Sequence, residues 1–168
     1  MSGPALPFAV AEETFSLLIA PDALLLDAIE RQLQAVQRFR LLYVCGNYSR
    51  FLTRLGRTCR DFDLRRAFTA HQLLTILEEA DQSCILIEHD PTLYDDAPGM
   101  AGPVARACAD CARDARVVVL ATAPDAVLWR MSADAGRVAY VCPPGGNRSS
   151  RHAGPAARRP AQDMPGRT

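Results

Sequence analysis

Glu88, His89 and Asp90 stand in a row directly after the apolar run Cys84-Ile-Leu-Ile. A carboxylate, an imidazole and a second carboxylate at the end of a buried strand are the residue types of a Mg²⁺ or general-base site. Burial and mutual charge shift the pKa of such groups toward function. The competing reading is a polar strand end that meets water. Asp95 and Asp96, a few residues on, read as a solvated loop.

Other constellations invite chemistry and have plainer explanations. Arg50, Arg54 and Arg57 fall at i, i+4 and i+7 and share a helix face, and Arg60, Arg65 and Arg66 extend the basic region. A basic stripe can meet DNA phosphates or an acidic protein partner. It can equally be a solvated face answered by Asp61 and Asp63. Cys108 and Cys111 form a Cys-x-x-Cys without the second pair that a zinc site needs. They fall toward the end of an Ala-rich helix, whereas redox pairs sit at helix N-termini, so packing thiols are the expectation. His71 beside Gln72 reads as a surface or capping histidine, and Trp129 with Met131 reads as core.

Composition removes several enzyme classes. All 19 cations are Arg, so no lysine is available as Schiff base, general base or phosphate-loop residue. The formal net charge is zero, yet residues 1–142 carry 14 Arg against 18 Asp and Glu, a net of −4, and residues 143–168 carry five Arg and one Asp, a net of +4. The sequence shows no basic segment followed by an apolar run that would make a signal peptide. The longest apolar stretch, residues 15–29, is broken by Pro21, Asp22 and Asp27 and is too interrupted to span a bilayer. The expectation is a cytoplasmic protein with reduced thiols, bound to no membrane and needing no cofactor.

The elements that must position these residues follow from hydrophobic periodicity. Residues 15–20, 41–45, 83–88, 116–121 and 138–141 are short continuous apolar runs that read as strands, the first two of them buried. Helical spacing appears over 23–36 (Leu25, Ile29, Leu33, Val36) and over 50–60 with Phe51 and Leu55 inward. It appears again from Thr69 with Leu73, Leu74 and Leu77, over 103–113, and from an Asp125 cap to Met131. Continuous rather than alternating strands, separated by helices, predict an α/β fold: a mostly parallel sheet of about five strands flanked by helices in three layers. Ligands of such sheets bind beyond the carboxyl ends of the strands, which selects 20–23, 45–49, 88–94 and 122–125. The division is a flexible N-terminus over 1–13, one domain over 14–142, and a tail over 143–168. The tail is too poor in large apolar residues to offset its ordering entropy.

Three stretches, in order, resemble the RecA/RadA recombinase family. Leu42-Tyr-Val-Cys-Gly-Asn-Tyr-Ser-Arg-Phe51 resembles its second core strand and the loop that carries a catalytic glutamate. Arg66-Ala-Phe-Thr-Ala-His-Gln-Leu73 resembles the segment opening the helix before the Walker B strand. Cys84-Ile-Leu-Ile-Glu-His-Asp-Pro-Thr-Leu-Tyr94 resembles the Walker B strand and the loop after it. The resemblance spans 14–142 and implies a RecA-like core and a recombination or repair setting.

The departures matter more than the matches. A Walker A loop is Gly-x-x-x-x-Gly-Lys-Ser/Thr, with backbone N–H groups around the phosphates and a hydroxyl on Mg²⁺. The corresponding stretch here is Ala20-Pro-Asp-Ala-Leu-Leu-Leu-Asp27, without Gly, Lys, Ser or Thr. The catalytic glutamate position falls near Asn47, which cannot act as a base. The Walker B acid best matches Glu88, so Glu88, His89 and Asp90 become a residual Walker B-like edge for a cofactor. The reading is a degenerate member that binds rather than catalyses, with a protein partner (a recombinase-type ATPase or a second copy) or DNA. Two alternatives stand beside it. One is an enzyme or small-ligand binder using Glu88, His89 and Asp90. The other is a structural subunit of a larger complex, which an exposed apolar patch on a sheet edge would favour.

Overall fold

Each predicted apolar run forms a strand, and each connection carries a helix or a tight turn. In a computed structural model that describes residues 13–35 (32–35 without side chains), 40–59 and 61–141, the order is β1 (Ser16–Ile19), α1 (Asp22–Ala35), β2 (Leu41–Cys45), α2 (Leu52–Thr58), β3 (Asp63–Arg66), α3 (Ala70–Glu78), β4 (Cys84–Glu88), α4 (Ala101–Cys111), β5 (Arg116–Ala121), α5 (Ala126–Met131) and β6 (Arg137–Tyr140). Two short 3₁₀ turns, Pro91–Tyr94 and Pro98–Met100, lie between β4 and α4. The expectations for residues 1–12, the Leu33 side chain, Val36, Arg60 and the tail over 143–168 lie outside the described residues.

The strands form one six-stranded sheet in the order β3-β2-β4-β5-β1-β6, and every neighbouring pair is parallel. Side chains alternate across a strand, so a strand covered on both faces must be apolar at every position. Leu17, Ile19, Leu42, Val44, Ile85, Ile87, Val117 and Val119 pack with α3, α4 and α5. Leu18, Leu41, Tyr43, Cys45, Leu86, Val118 and Leu120 pack with α1 and α2 on the other face. The result is the helix–sheet–helix arrangement expected of the sequence.

Two differences are instructive. A sixth strand, β3, appears where no strand is expected; its residues Asp-Leu-Arg-Arg are all exposed, so no apolar run announces it. The helix expected over 50–60 shortens to Leu52–Thr58. The Ser49 hydroxyl accepts the Leu52 N–H at 3.0 Å and the Phe51 N–H at 3.3 Å, which sets the start. Arg50 therefore sits in a loop and does not share a helix face with Arg54 and Arg57.

Helix starts follow capping chemistry. Thr69 accepts the Gln72 N–H at the head of α3, and Asp125 accepts the Leu128 N–H at 2.8 Å at the head of α5. Trp129 corrects an expectation: it is 82% exposed on α5, while Leu128 and Met131 turn inward. A six-residue helix has one inward stripe, and position 129 falls off it. No helix among the described residues is long and apolar enough to cross a membrane.

Candidate functional site

At the carboxyl end of β4, strand alternation separates the three residues that looked like one site. Glu88 follows Cys84 and Leu86 onto the α1–α2 face, and its side chain is buried. It accepts hydrogen bonds from the Tyr43 hydroxyl at 2.5 Å, the Ser49 hydroxyl at 2.5 Å and the Arg50 backbone N–H at 2.8 Å. Burial first, then the Glu88 charge, pushes the Tyr43 hydroxyl far above the usual phenol range, so it stays a donor. Ser49 is the link: the hydroxyl that donates to Glu88 also heads α2. Glu88 thus ties the central strand to the β2–α2 loop.

His89 turns to the other face. Its Nε2 lies 2.6 Å from Asp125 Oδ2, its ring stacks at a tilt beside Tyr94 with centroids 6.2 Å apart, and its side chain is 5% exposed. Asp125 serves two partners, since its Oδ1 caps α5. Burial raises the Asp125 pKa, but the Leu128 N–H, then the His89 hydrogen bond and charge, then the Val127 N–H outweigh it and hold the carboxyl below its usual value. The pair joins β4 to the start of α5. The cavity beside it, lined by Ile87, His89, Leu93, Tyr94 and Met131, has a volume of about 10 Å³, room for one water at most.

Asp90 points to neither partner set. It caps the Pro91–Tyr94 turn, accepting from the Thr92 N–H at 3.0 Å and the Thr92 hydroxyl at 2.7 Å. Its carboxylate packs so closely on Gly46 that a Cβ at position 46 would collide with it. Glu88, His89 and Asp90 are therefore three anchors pointing three ways.

The site expected at 20–27 has no loop to form it. β1 ends at Ile19 and α1 begins at Asp22, leaving Ala20 and Pro21 as the whole connection. Leu24 and Leu25 both donate their N–H groups to the Pro21 carbonyl, and Leu25 is fully buried. The leucines seat α1 on the sheet. At the head of α1, where an anion would meet free N–H groups, stands the Asp22 carboxylate, paired with Arg50 at 3.3 Å.

The arginine stripe is answered mainly by carboxylates of α1 and of the residue that ends α3 rather than by Asp61 and Asp63. Arg54 pairs with Glu30 of α1 at 3.2 Å, and Arg65 with Glu79 at 3.6 Å. Asp63 instead accepts from Gln82 at 2.8 Å. Arg57 lies in the last turn of α2, where a cation suits the helix dipole. Arg66 is a brace: one of its guanidinium nitrogens donates to the Gly46 carbonyl at 3.1 Å and the Asn47 carbonyl at 2.7 Å, joining β3 to the β2–α2 loop. His71 is exposed in the first turn of α3.

Cys108 is fully buried in α4, and burial pushes its thiol far above the usual range. Cys111 is raised by the same cause and donates to the Leu77 carbonyl at 3.2 Å. Neither favours the thiolate that redox or metal chemistry requires. Among the described residues no cluster of three metal-ligating side chains occurs.

A cavity of about 580 Å³ lies at the opposite end of the sheet. It is an open groove between α3 and α4 that meets the segments preceding β4 and β5 at Gln82, Ser83, Asp114 and Ala115. Residue types at the carboxyl edge pointed to a site, but this open groove lies at the other end. Sequence reasoning missed the partners of Glu88 and His89. Tyr43 carried the one available signal, a hydroxyl inside an otherwise apolar strand that must find an acceptor when buried.

No family model matches this chain. An uncharacterised protein from Archaeoglobus fulgidus is 49% identical to it over 59 residues, which is 35% of this chain and 30% of that protein. The match thus spans less than a third of the relative's own length.

Proposed function

We propose that this chain is a RecA-like domain that has given up nucleotide chemistry and acts by binding, as an accessory or structural protein in the cytoplasm. The observation that carries the reading is the junction of β1 and α1. Ala20 and Pro21 leave no loop whose N–H groups could surround phosphates, and Asp22 with its Arg50 partner stands at the helix head. The other support is the use of Glu88, which spends its carboxylate on three protein donors.

The RecA-like part of the proposal draws on where the three resembling stretches fall. They occupy β2 with its loop, the end of β3 with the head of α3, and β4 with its loop, which are the element types the resemblance implies. The recombination or repair setting comes with that resemblance alone. A protein partner fits the folded part better than DNA does. Residues 1–142 carry a net −4, and Arg50, Arg54 and Arg65 are already paired with carboxylates.

Titration calorimetry with Mg·ATP on the full chain tests the reading. The expected result is no binding at about 100-fold the micromolar affinity of a working nucleotide site. Saturable binding with one nucleotide per chain, or phosphate release, overturns it.

A further inference from the structure

Among the described residues the two borders of the sheet are β3 and β6. On β6 the Val141 N–H donates to Ile19 of β1, so Val141 and Ala139 turn their backbone groups inward. By alternation, the N–H and C=O groups of Val138 and Tyr140 point outward. Those two residues are 48% and 58% exposed. They lie on the face covered by α5, because they pair with Leu17 and Ile19 of that face. An outward backbone ladder bordered by apolar side chains is a template for another strand.

We propose that the strand it receives is β6 of a second copy, paired antiparallel about a two-fold axis at Ala139. The register is dictated by this chain alone. With Ala139 opposite Ala139, each Val138 faces the Tyr140 of the second copy. Both residues have outward N–H and C=O groups, so each of the two pairs exchanges two hydrogen bonds. A β-branched residue opposite an aromatic is a favourable cross-strand pair. The small Ala139 side chains meet at the axis, where strands approach closest. Arg137, the one charge in the strand, falls at opposite ends of the ladder in the two copies. The dimer joins two sets of six strands into one sheet, an isologous contact that closes on itself.

The other border cannot do the same. On β3 the Ala67 N–H donates to Cys45, so Leu64 and Arg66 face outward and Arg65 takes the axial position. Self-pairing there would set Arg65 against Arg65 and Arg66 against Leu64, and like charges directly opposite are destabilising. Charge therefore selects β6 over β3 as the border that accepts a copy of itself.

The inference rests on the sheet border and does not depend on the proposed loss of nucleotide binding. Sedimentation velocity of the full chain is the test. The expected result is a monomer–dimer equilibrium with a dissociation constant on the order of 10–100 µM, as suits a short edge contact. Val138→Lys with Tyr140→Lys should weaken it at least about tenfold while circular dichroism and melting stay unchanged, because both side chains are exposed. Leu64→Lys should leave the equilibrium alone. Register is read by oxidation: Ala139→Cys should form a reducible covalent dimer, since facing residues at the axis lie within disulfide reach, and Val138→Cys should not. A protein that stays monomeric near 1 mM, a dimer indifferent to the paired lysines, or equal cross-linking at 138 and 139 overturns the proposal.

Discussion

The two border strands of this sheet have the same length and the same parallel pairing, and they differ in everything a neighbour would sense. β3 reads Asp-Leu-Arg-Arg, and its three charged side chains are tied back into the molecule while Leu64 stays exposed. Asp63 binds Gln82, Arg65 pairs with Glu79, and Arg66 reaches the Gly46 and Asn47 carbonyls. β6 reads Arg-Val-Ala-Tyr and leaves Val138 and Tyr140 to solvent, with Trp129 exposed on the helix above the same face. Charges guard one border against unplanned pairing and are missing from the middle of the other. The difference teaches that two border strands of equal length can present opposite surfaces, one charged and tied back, the other apolar and exposed.

The comparison can be broken at β6 most forcefully through Gly136. A Cβ there would enter the Thr14 side chain, and the Gly136 N–H donates to Phe15 at 3.1 Å where β6 begins. Gly136→Ala should cost about 2–3 kcal/mol, the scale of overpacking a tight contact. Urea denaturation would measure that loss, and self-association should fall with it. Unchanged stability would mean that β6 is not anchored at Thr14.

The matching lesion at β3 is Arg66→Ala. It removes the bonds to two loop carbonyls and should cost about 1–1.5 kcal/mol, discounted because the guanidinium is partly in water. Self-association should not change. Arg66→Lys should recover part of the loss, because a single ammonium nitrogen can also donate to both carbonyls. Equal stability of the alanine variant and the parent would remove the brace.

The smallest effect is a pH dependence confined to the β6 side, where Asp125 heads the helix that leads into that strand. Its carboxyl is held below its unfolded value, so the stability it contributes is fully present above about pH 4 and is lost as pH falls through the folded pKa. Asp125→Asn should therefore be less stable than the parent at pH 7, and the gap should narrow below pH 4. A gap that is constant from pH 7 to pH 3 would show that folding does not hold the Asp125 carboxyl below its unfolded value.

Much of the fold was legible along the chain because its information is local. Apolar runs marked five of the six strands, and Thr69 and Asp125 announced helix heads by cap chemistry. β3 escaped because an exposed border strand needs no apolar pattern. Trp129 was placed wrongly in the core because a six-residue helix leaves its inward stripe ambiguous by one position. At the candidate site the residue types were right and their grouping was not. Adjacent residues of a strand point to opposite faces, so Glu88 and His89 had to part, but their partners lie 45 and 36 residues away and carry no local sign.

By itself, then, the sequence settled that no phosphate-loop lysine exists, because 19 cations without one lysine is a fact of composition. It also announced that β1, β2, β4 and β5 are buried on both faces, because continuous apolar runs have no polar side to show water. Only the tertiary structure decided that Ala20 and Pro21 join β1 to α1 without a loop, that Glu88 is consumed by Tyr43 and Ser49, and that β3 and β6 stand at the two borders of the sheet. Those outcomes depend on which distant segments become neighbours in the sheet, and strand order is a long-range property that no local pattern encodes.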